Sequence, residues 1–350
     1  MLALALAGCS SEDGLSAHDV APVEPPKLVD KHEPTPTAWT FAVLSDLHLP
    51  NVATATVDRT VAALVERKVR FVVITGDHTN GSLFDGPRRK DAWWSAVARA
   101  LQPLREAGIP VLPVAGNHDS YLPAQRAGYA ATFDPSWAKP LAIVEHGDTP
   151  LTRWPFSYSV DVDGVHLALA HIVATRLDPA IGRWLERDLA AARTARHRIA
   201  AAHVPLSSVI WSPTKPFVAQ LGGILERGQV EMFVGGHEHV VWDEPVALPG
   251  GGALRQVLAG CASGYYDYAP SEASKIRARC VPVIRLGQRE PMRCKMPNGG
   301  AFEIARGRKN RHLQHHRNAF LLVDVAGESL RVRPMTVDSA GRVQPFYLPD

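Results

Sequence analysis

The chain has 350 residues, of which 46% are hydrophobic, 21% charged and 7% aromatic, values that exclude a disordered or fibrous protein and allow a sizeable core. No apolar run approaches the roughly 20 residues of a membrane-spanning helix. The formal charge of +3 hides an uneven distribution: residues 271–318 hold twelve Lys and Arg against three Asp and Glu, and the remainder holds 26 against 32. This basic segment could face anionic lipid, an anionic substrate or nucleic acid, and a solvated loop is the default.

In chain order, the first informative stretch is residues 1–10, an apolar run that ends in small residues and a cysteine. Leu6-Ala7-Gly8-Cys9 resembles a bacterial lipobox. The resemblance implies cleavage before Cys9, acylation of Cys9 and a stable membrane anchor. It places the protein in the cell envelope, facing the periplasm or the exterior. No Lys or Arg precedes the run, and its apolar part is short for a signal segment, so the translational start is expected upstream. Residues 10–38 carry Pro22, Pro25, Pro26, Pro34 and Pro36 with almost no aromatic content, the composition of an extended, solvated tether. In an oxidising compartment, Cys261, Cys280 and Cys294 resolve as one bridge and one thiol. Cys280 with Cys294 is the expected pair.

From residue 39 the pattern is that of a folded domain extending to residue 350, with the basic insertion at about 271–318. Short β-branched runs at 41–44, 70–75 and 111–115 alternate with helical spacing at 57–68 and 92–107. Such alternation predicts right-handed crossovers and a largely parallel sheet. Residues 121–155 read as loop, and 156–162 with 165–170 as a hairpin around Asp163-Gly164. Helices are expected at 179–193 and near 218–227, and strands at 198–202, 231–234, 319–325 and 329–335.

Chemistry-bearing residues stand directly after five of these strands. Asp46-Leu-His48 follows the first, Gly76-Asp77-His78 the second, and Gly116-Asn117-His118-Asp119 the third. His203 follows the strand at 198–202, and Gly235-Gly236-His237-Glu238-His239 follows the one after it. Carboxyl ends of strands in open α/β sheets are where sites assemble, so groups nearly two hundred residues apart can converge. Imidazole and carboxylate suit Mn, Fe and Zn, a carboxylate can bridge two ions, and an amide oxygen is a neutral ligand. The alternation in Asp46-x-His48 and His237-x-His239 predicts that each pair projects to one side of an extended segment. Each short motif alone is ordinarily a cap or a turn; five at successive strand ends are not.

This ordered set resembles the signature of the calcineurin-like metallophosphoesterase superfamily. The resemblance implies an α/β fold, a sandwich of two mixed β-sheets flanked by helices, with two divalent or trivalent transition-metal ions (Mn, Fe or Zn). Asp46, His48, Asp77 and His239 would bind one ion, and Asp77, Asn117, His203 and His237 the other. His118 would stand beside them, oriented by Asp119, while a metal-bridging water or hydroxide attacks the phosphorus of a phosphate mono- or diester. A phosphorylated small molecule or lipid is the substrate class implied. A catalytically weak, surface-anchored binding lipoprotein and a secreted nuclease using the basic segment are the alternatives; nucleic acid is not the favoured partner.

Three departures qualify the resemblance. Asn80 stands where purple acid phosphatases carry a metal-ligating tyrosine. The stretch Gly76 to Gly81 is one residue shorter than the spacing common among relatives. Ala202 precedes His203 where glycine is frequent. His78 and His171, also at strand ends, are candidates for structural or supporting groups and equally for substrate-facing ones, and His312, His315 and His316, in the basic segment, are expected to be solvated.

Overall fold

The computed structural model describes residues 38–50, 54–82, 87–145, 147–208, 214–239, 241–264, 267–268, 280–282, 292–295, 301–304, 313–314 and 318–345. Cys9, the Pro-rich stretch, most of the basic segment and its three histidines lie outside them. The strands are β1 (Trp39–Leu44), β2 (Val72–Ile74), β3 (Val111–Pro113), β4 (Ile143–Val144), β5 (Tyr158–Val162), β6 (Val165–Leu169), β7 (His197–Ala201), β8 (Met232–Gly235), β9 (Val241–Ala247) and β10 (Ala253–Ala259). After them come β11 (Asp267–Tyr268), β12 (Cys280–Pro282), β13 (Met292–Lys295), β14 (Ala301–Ile304), β15 (Leu313–Gln314), β16 (Phe320–Ala326), β17 (Ser329–Val337) and β18 (Val343–Pro345). The helices are α1 (Thr54–Glu66), α2 (Pro87–Glu106), α3 (Pro123–Thr132), α4 (Pro179–Ala191) and α5 (Lys215–Arg227).

Two mixed sheets form the sandwich that the motifs implied. One has the order β18-β17-β16-β1-β2-β3, and the other β4-β5-β6-β7-β8-β10-β9. β1, β2 and β3 are parallel, as are β6, β7, β8 and β10, while antiparallel strands complete the edges. Alternation along β1 builds two layers at once. Phe41 and Val43 pack with Tyr158, Leu167, Ile199 and Val234 of the facing sheet, whereas Ala42 and Leu44 meet Val57, Val61 and Leu64 of α1 and Leu101 of α2. Parallel strands buried on both faces read as continuous apolar runs, which is why the sequence located them. On the far side, α4 and α5 lay Trp184, Leu185, Phe217 and Leu221 over Ala168, Ala200 and Phe233. Their starts are fixed by Asp178 and Thr214, whose side chains accept the backbone N–H of Ala180 and Phe217.

The hairpin turn holds Asp163 at φ 48° and Gly164 at 88°, the left-handed pair that a two-residue connection needs. The sequence reading missed α3, within the stretch assigned to loop, and the pair β9–β10. In α3 only Gln125 and Tyr129 are buried, so no apolar stripe marks it. β9 carries Asp243, Glu244 and Pro245, which its position at the sheet edge tolerates. The register of β12 and β13 sets Cys280 opposite Cys294; their side chains, and so the expected bridge, lie outside the described residues. Cys261 is a buried thiol and not half of a disulfide.

A polar network pins α4 to the second sheet. Asp188 is fully buried; it accepts from Ser159 Oγ at 2.6 Å and pairs with His166 Nε2 at 2.9 Å, while His166 Nδ1 meets Asp161 at 2.8 Å. Burial opposes charge on His166, but the Asp188 and Asp161 carboxylates outweigh it and raise the ring's pKa above its usual value. A histidine whose folded pKa is raised stabilises fully below its unfolded pKa and loses that contribution as pH rises through the folded one. Asp188→Ala should therefore cost about 3–5 kcal/mol at mildly acidic pH, and the deficit should shrink in alkali. Urea midpoints of both proteins across the pH range check this, and a pH-independent difference would contradict it.

Candidate metal centre

The described ends of β1, β2 and β3 in one sheet, and of β7 and β8 in the other, deliver the polar groups to one place. Asp46, His48, Asp77 and His239 bring their ligand atoms within 4.8 Å of one another, and Asp77, His203 and His237 do the same. Asn117 joins the second group, with Oδ1 at 2.9 Å from His203 Nε2. Asp77 belongs to both. All seven side chains expected as ligands thus stand together, while Asn80 is exposed and in neither group. His171 is buried against Phe156, also outside both.

The backbone that presents them is strained. Eight non-glycine residues in the described chain have positive φ, and five of them are Asp46, His48, Asp77, His237 and His239, at 48° to 70°. This corrects the expectation of extended segments. Left-handed kinks let Asp46 N, His48 N and Leu49 N bond Gly76 O, Asp77 O and His78 O at 2.9 to 3.0 Å, zipping the two loops together. The kinks also divide His237 and His239 between the two donor groups instead of aiming both to one side. Gly76, at φ 104°, permits the turn that brings Asp77 in.

Three of the donors are aimed by a second contact. His203 Nδ1 gives its proton to Thr75 O at 2.8 Å, which turns Nε2 to the centre, 3.2 Å from Asp77 Oδ2. Asp46 Oδ2 accepts Ser45 Oγ at 2.6 Å and His237 N at 3.1 Å, so Oδ1 faces His239 Nε2 at 3.1 Å. Asp77 Oδ1 accepts His118 N at 2.9 Å, freeing Oδ2 for the centre. His48 Nε2 and His239 Nε2 lie 3.1 Å apart, a separation that asks for a proton or a cation between them.

Electrostatics point the same way. Burial opposes charge on the two aspartates, yet His203 holds Asp77 well below the usual carboxylate range and His239 lowers Asp46. Against the same burial, Asp77 pushes His203 up to about 9, and Asp46 with Cys261 pushes His239 up to about 10. Burial, reinforced by neighbouring imidazoles, takes His48 and His237 down to about 4. The cluster recruits positive charge, and the oxygen and imidazole donors fit transition-metal cations.

His118 and Asp119 occupy different places from each other. Asp119 was expected to orient His118; instead its Oδ2 accepts Gly116 N at 2.9 Å, His78 N at 3.1 Å and His78 Nδ1 at 2.9 Å, and its Oδ1 accepts Thr79 N at 3.1 Å. With both oxygens taken, it staples the 77–79 loop to the 116–119 turn. The His118 ring is oriented by Gly81 O, 2.6 Å from Nδ1. Further contacts unforeseen from the sequence are Cys261 Sγ on Asp46 O at 3.2 Å and Tyr121 Oη on Asn117 Nδ2 at 2.6 Å. No repeating pattern flags either residue.

Paired donor groups at the carboxyl ends of a two-sheet sandwich are the arrangement of a candidate metal centre. The profile of the calcineurin-like phosphoesterases matches residues 40–241, and the chain belongs to that family. No curated protein matches the sequence significantly. Among solved structures, the purple acid phosphatase PPD1 of yellow lupin (Lupinus luteus) seeds superposes with a TM-score of 0.55 at 12% identity, over 89% of this chain and 54% of that one. This chain thus spans about half the length of the lupin enzyme. GAP50, the anchor in the inner membrane complex of Plasmodium, gives 0.50 at 13% identity, over 89% and 90% of the two chains. A dimetal phosphatase from Danio rerio gives 0.45 at 12%, over 85% and 98%. At these identities the first two likenesses are of fold.

Gly116 is one of the tight points of the centre. A Cβ there would meet Asp77 Oδ1 at 2.1 Å and Asp77 N at 2.2 Å, and backbone cannot yield cheaply. Gly116→Ala should weaken Mn²⁺ binding by about 10- to 100-fold while circular dichroism still shows the fold. Calorimetric titration measures it, and unchanged affinity would refute the geometry.

Proposed function

We propose that this chain hydrolyses a phosphate monoester or diester using two divalent cations of the manganese, iron or zinc type. The observation that carries this reading is Asp77 shared between two donor groups, with His118 beside it on the open side of the centre. Asp46, His48, Asp77 and His239 would hold one cation, and Asp77, Asn117, His203 and His237 the other. Such cations supply Lewis acidity and bring the pKa of a water into the neutral range.

The remaining work falls to the chain. His118 gives its Nδ1 proton to Gly81 O, so Nε2 is the working atom, 4.0 Å from Asp77 Oδ2. There it can hydrogen-bond a phosphoryl oxygen and protonate the leaving oxygen. Asp119 acts at one remove, fixing the turn from which Asn117 and His118 project. His118→Asn should lower kcat for 4-nitrophenyl phosphate or bis(4-nitrophenyl) phosphate by about 100-fold or more with bound metal unchanged. Loss of metal, or unimpaired turnover, would sink the assignment of His118; turnover of the unmodified protein that survives chelation would sink the function.

The substrate class that fits is a phosphorylated small molecule or lipid, reached from the envelope. The lipobox-like Leu6-Ala7-Gly8-Cys9 and the Pro-rich stretch after it support an anchor at Cys9. Radiolabelled palmitate should enter the full-length protein in a bacterial host, and Cys9→Ser should abolish labelling and release the protein from membranes. Equal labelling of both would end the anchor proposal.

A further inference from the structure

Access to the centre is one-sided. Asp46, His48, Asp77, His203 and His239 are buried, whereas Asn117, His118 and His237 are part-exposed. Any ester bound there approaches over that second set. Tyr121 lies on the same side. Its ring sits 5.3 Å from the His118 ring, edge to face at 69°, and its hydroxyl accepts from Asn117 Nδ2 at 2.6 Å.

An exposed tyrosine is ordinarily a surface residue with no task. Two facts set this one apart. At 39% exposure it is the only exposed large hydrophobic side chain among the described residues. It is also held at both ends. Asn117 fixes the hydroxyl, and the backbone on either side is tied down: Arg126 bonds Ser120 O at 2.8 Å, and Leu122 N gives its proton to Gln125 Oε1 at 2.8 Å at the start of α3. The result is a rigid aromatic surface beside the imidazole positioned to meet the leaving group, with little entropy left to lose when a planar group packs on it.

We infer that Tyr121 is a specificity-determining residue, whose ring packs against an aromatic or heteroaromatic leaving group of the phosphate ester. Its hydroxyl holds the Asn117 amide with Oδ1 toward His203. The inference rests on the phosphoesterase reading, and its test uses inert ligands so that the two can fail separately. Benzylphosphonate, a phenyl phosphate analogue with a carbon bridge, is compared with propylphosphonate by calorimetry on the Mn²⁺-loaded protein. The benzyl-to-propyl affinity ratio should fall about three- to tenfold in Tyr121→Leu and stay within about twofold in Tyr121→Phe, which keeps the ring. An unchanged ratio in Tyr121→Leu, or an equal fall in both variants, would overturn the inference whether or not the protein turns over aryl phosphates. A ratio that depends on the ring in a protein without turnover would uphold it and overturn the catalytic reading instead.

Discussion

Everything at the functional end of this molecule depends on gathering carboxylates and imidazoles into one buried volume. Burying an aspartate costs several kcal/mol unless opposite charge meets it, and here Asp46 and Asp77 are buried side by side. The fold meets that cost by bringing its two sheets to the same point. Asp46, Asp77 and Asn117 come from the first sheet, and His203, His237 and His239 from the second. Hydrogen bonds cross between the two sets: His203 Nδ1 to Thr75 O, His237 N to Asp46 Oδ2, and Ala262 N to Ser45 O at 2.8 Å. Further along the sandwich the contact between sheets is apolar, with Phe41, Val43, Leu167 and Ile199 interleaved. One end of the interface is thus a core and the other a binding site.

The site is also where the backbone is least relaxed. A residue in a sparsely populated conformation costs about 1–3 kcal/mol, so five of them amount to a sum comparable with the net stability of a whole domain. Aspartate tolerates the left-handed region better than most side chains, which moderates the cost at Asp46 and Asp77. Histidine is enriched there as well, so the cost at His48, His237 and His239 is moderated too. Their conformation persists because the loops after β1 and β2 are hydrogen-bonded to each other, and because each strand preceding a kink is buried on both faces. A rigid sandwich is therefore a precondition for the chemistry as well as its support.

How much of this the sequence discloses follows from the kind of interaction involved. Strands β1, β2, β3, β7 and β8 end in buried apolar residues, and the groups after them are polar, so each strand end and each donor is visible as a local contrast. The kinks are not, because Asp-x-His is compatible with an extended or a left-handed backbone until neighbouring loops choose. Helix α3 escaped because its buried side comprises Gln125 and Tyr129 rather than an aliphatic stripe. Asp119 bonds His78 rather than the His118 ring for a related reason. It is adjacent in sequence to His118, but that ring's Nδ1 bonds Gly81 O, and the partner of Asp119, His78, lies forty-one residues upstream.

That difference in partners bears on how the His118 imidazole is held. A carboxylate on Nδ1 would add a full negative charge beside a ring that faces Asp77; the Gly81 carbonyl fixes the same tautomer with only a dipole. Asp119 is meanwhile spent where charge is useful, accepting backbone N–H groups from Gly116, His78 and Thr79 at once. Its ring partner sits in an aromatic enclosure, with the Tyr129 and Phe133 rings 5.6 and 5.0 Å from His78. Water-excluding walls strengthen the His78–Asp119 contact and so stiffen the junction between the loop bearing Asp77 and the turn bearing Asn117 and His118. The spacing between the shared carboxylate and the part-exposed imidazole is thus set by a buried pair that belongs to neither donor group.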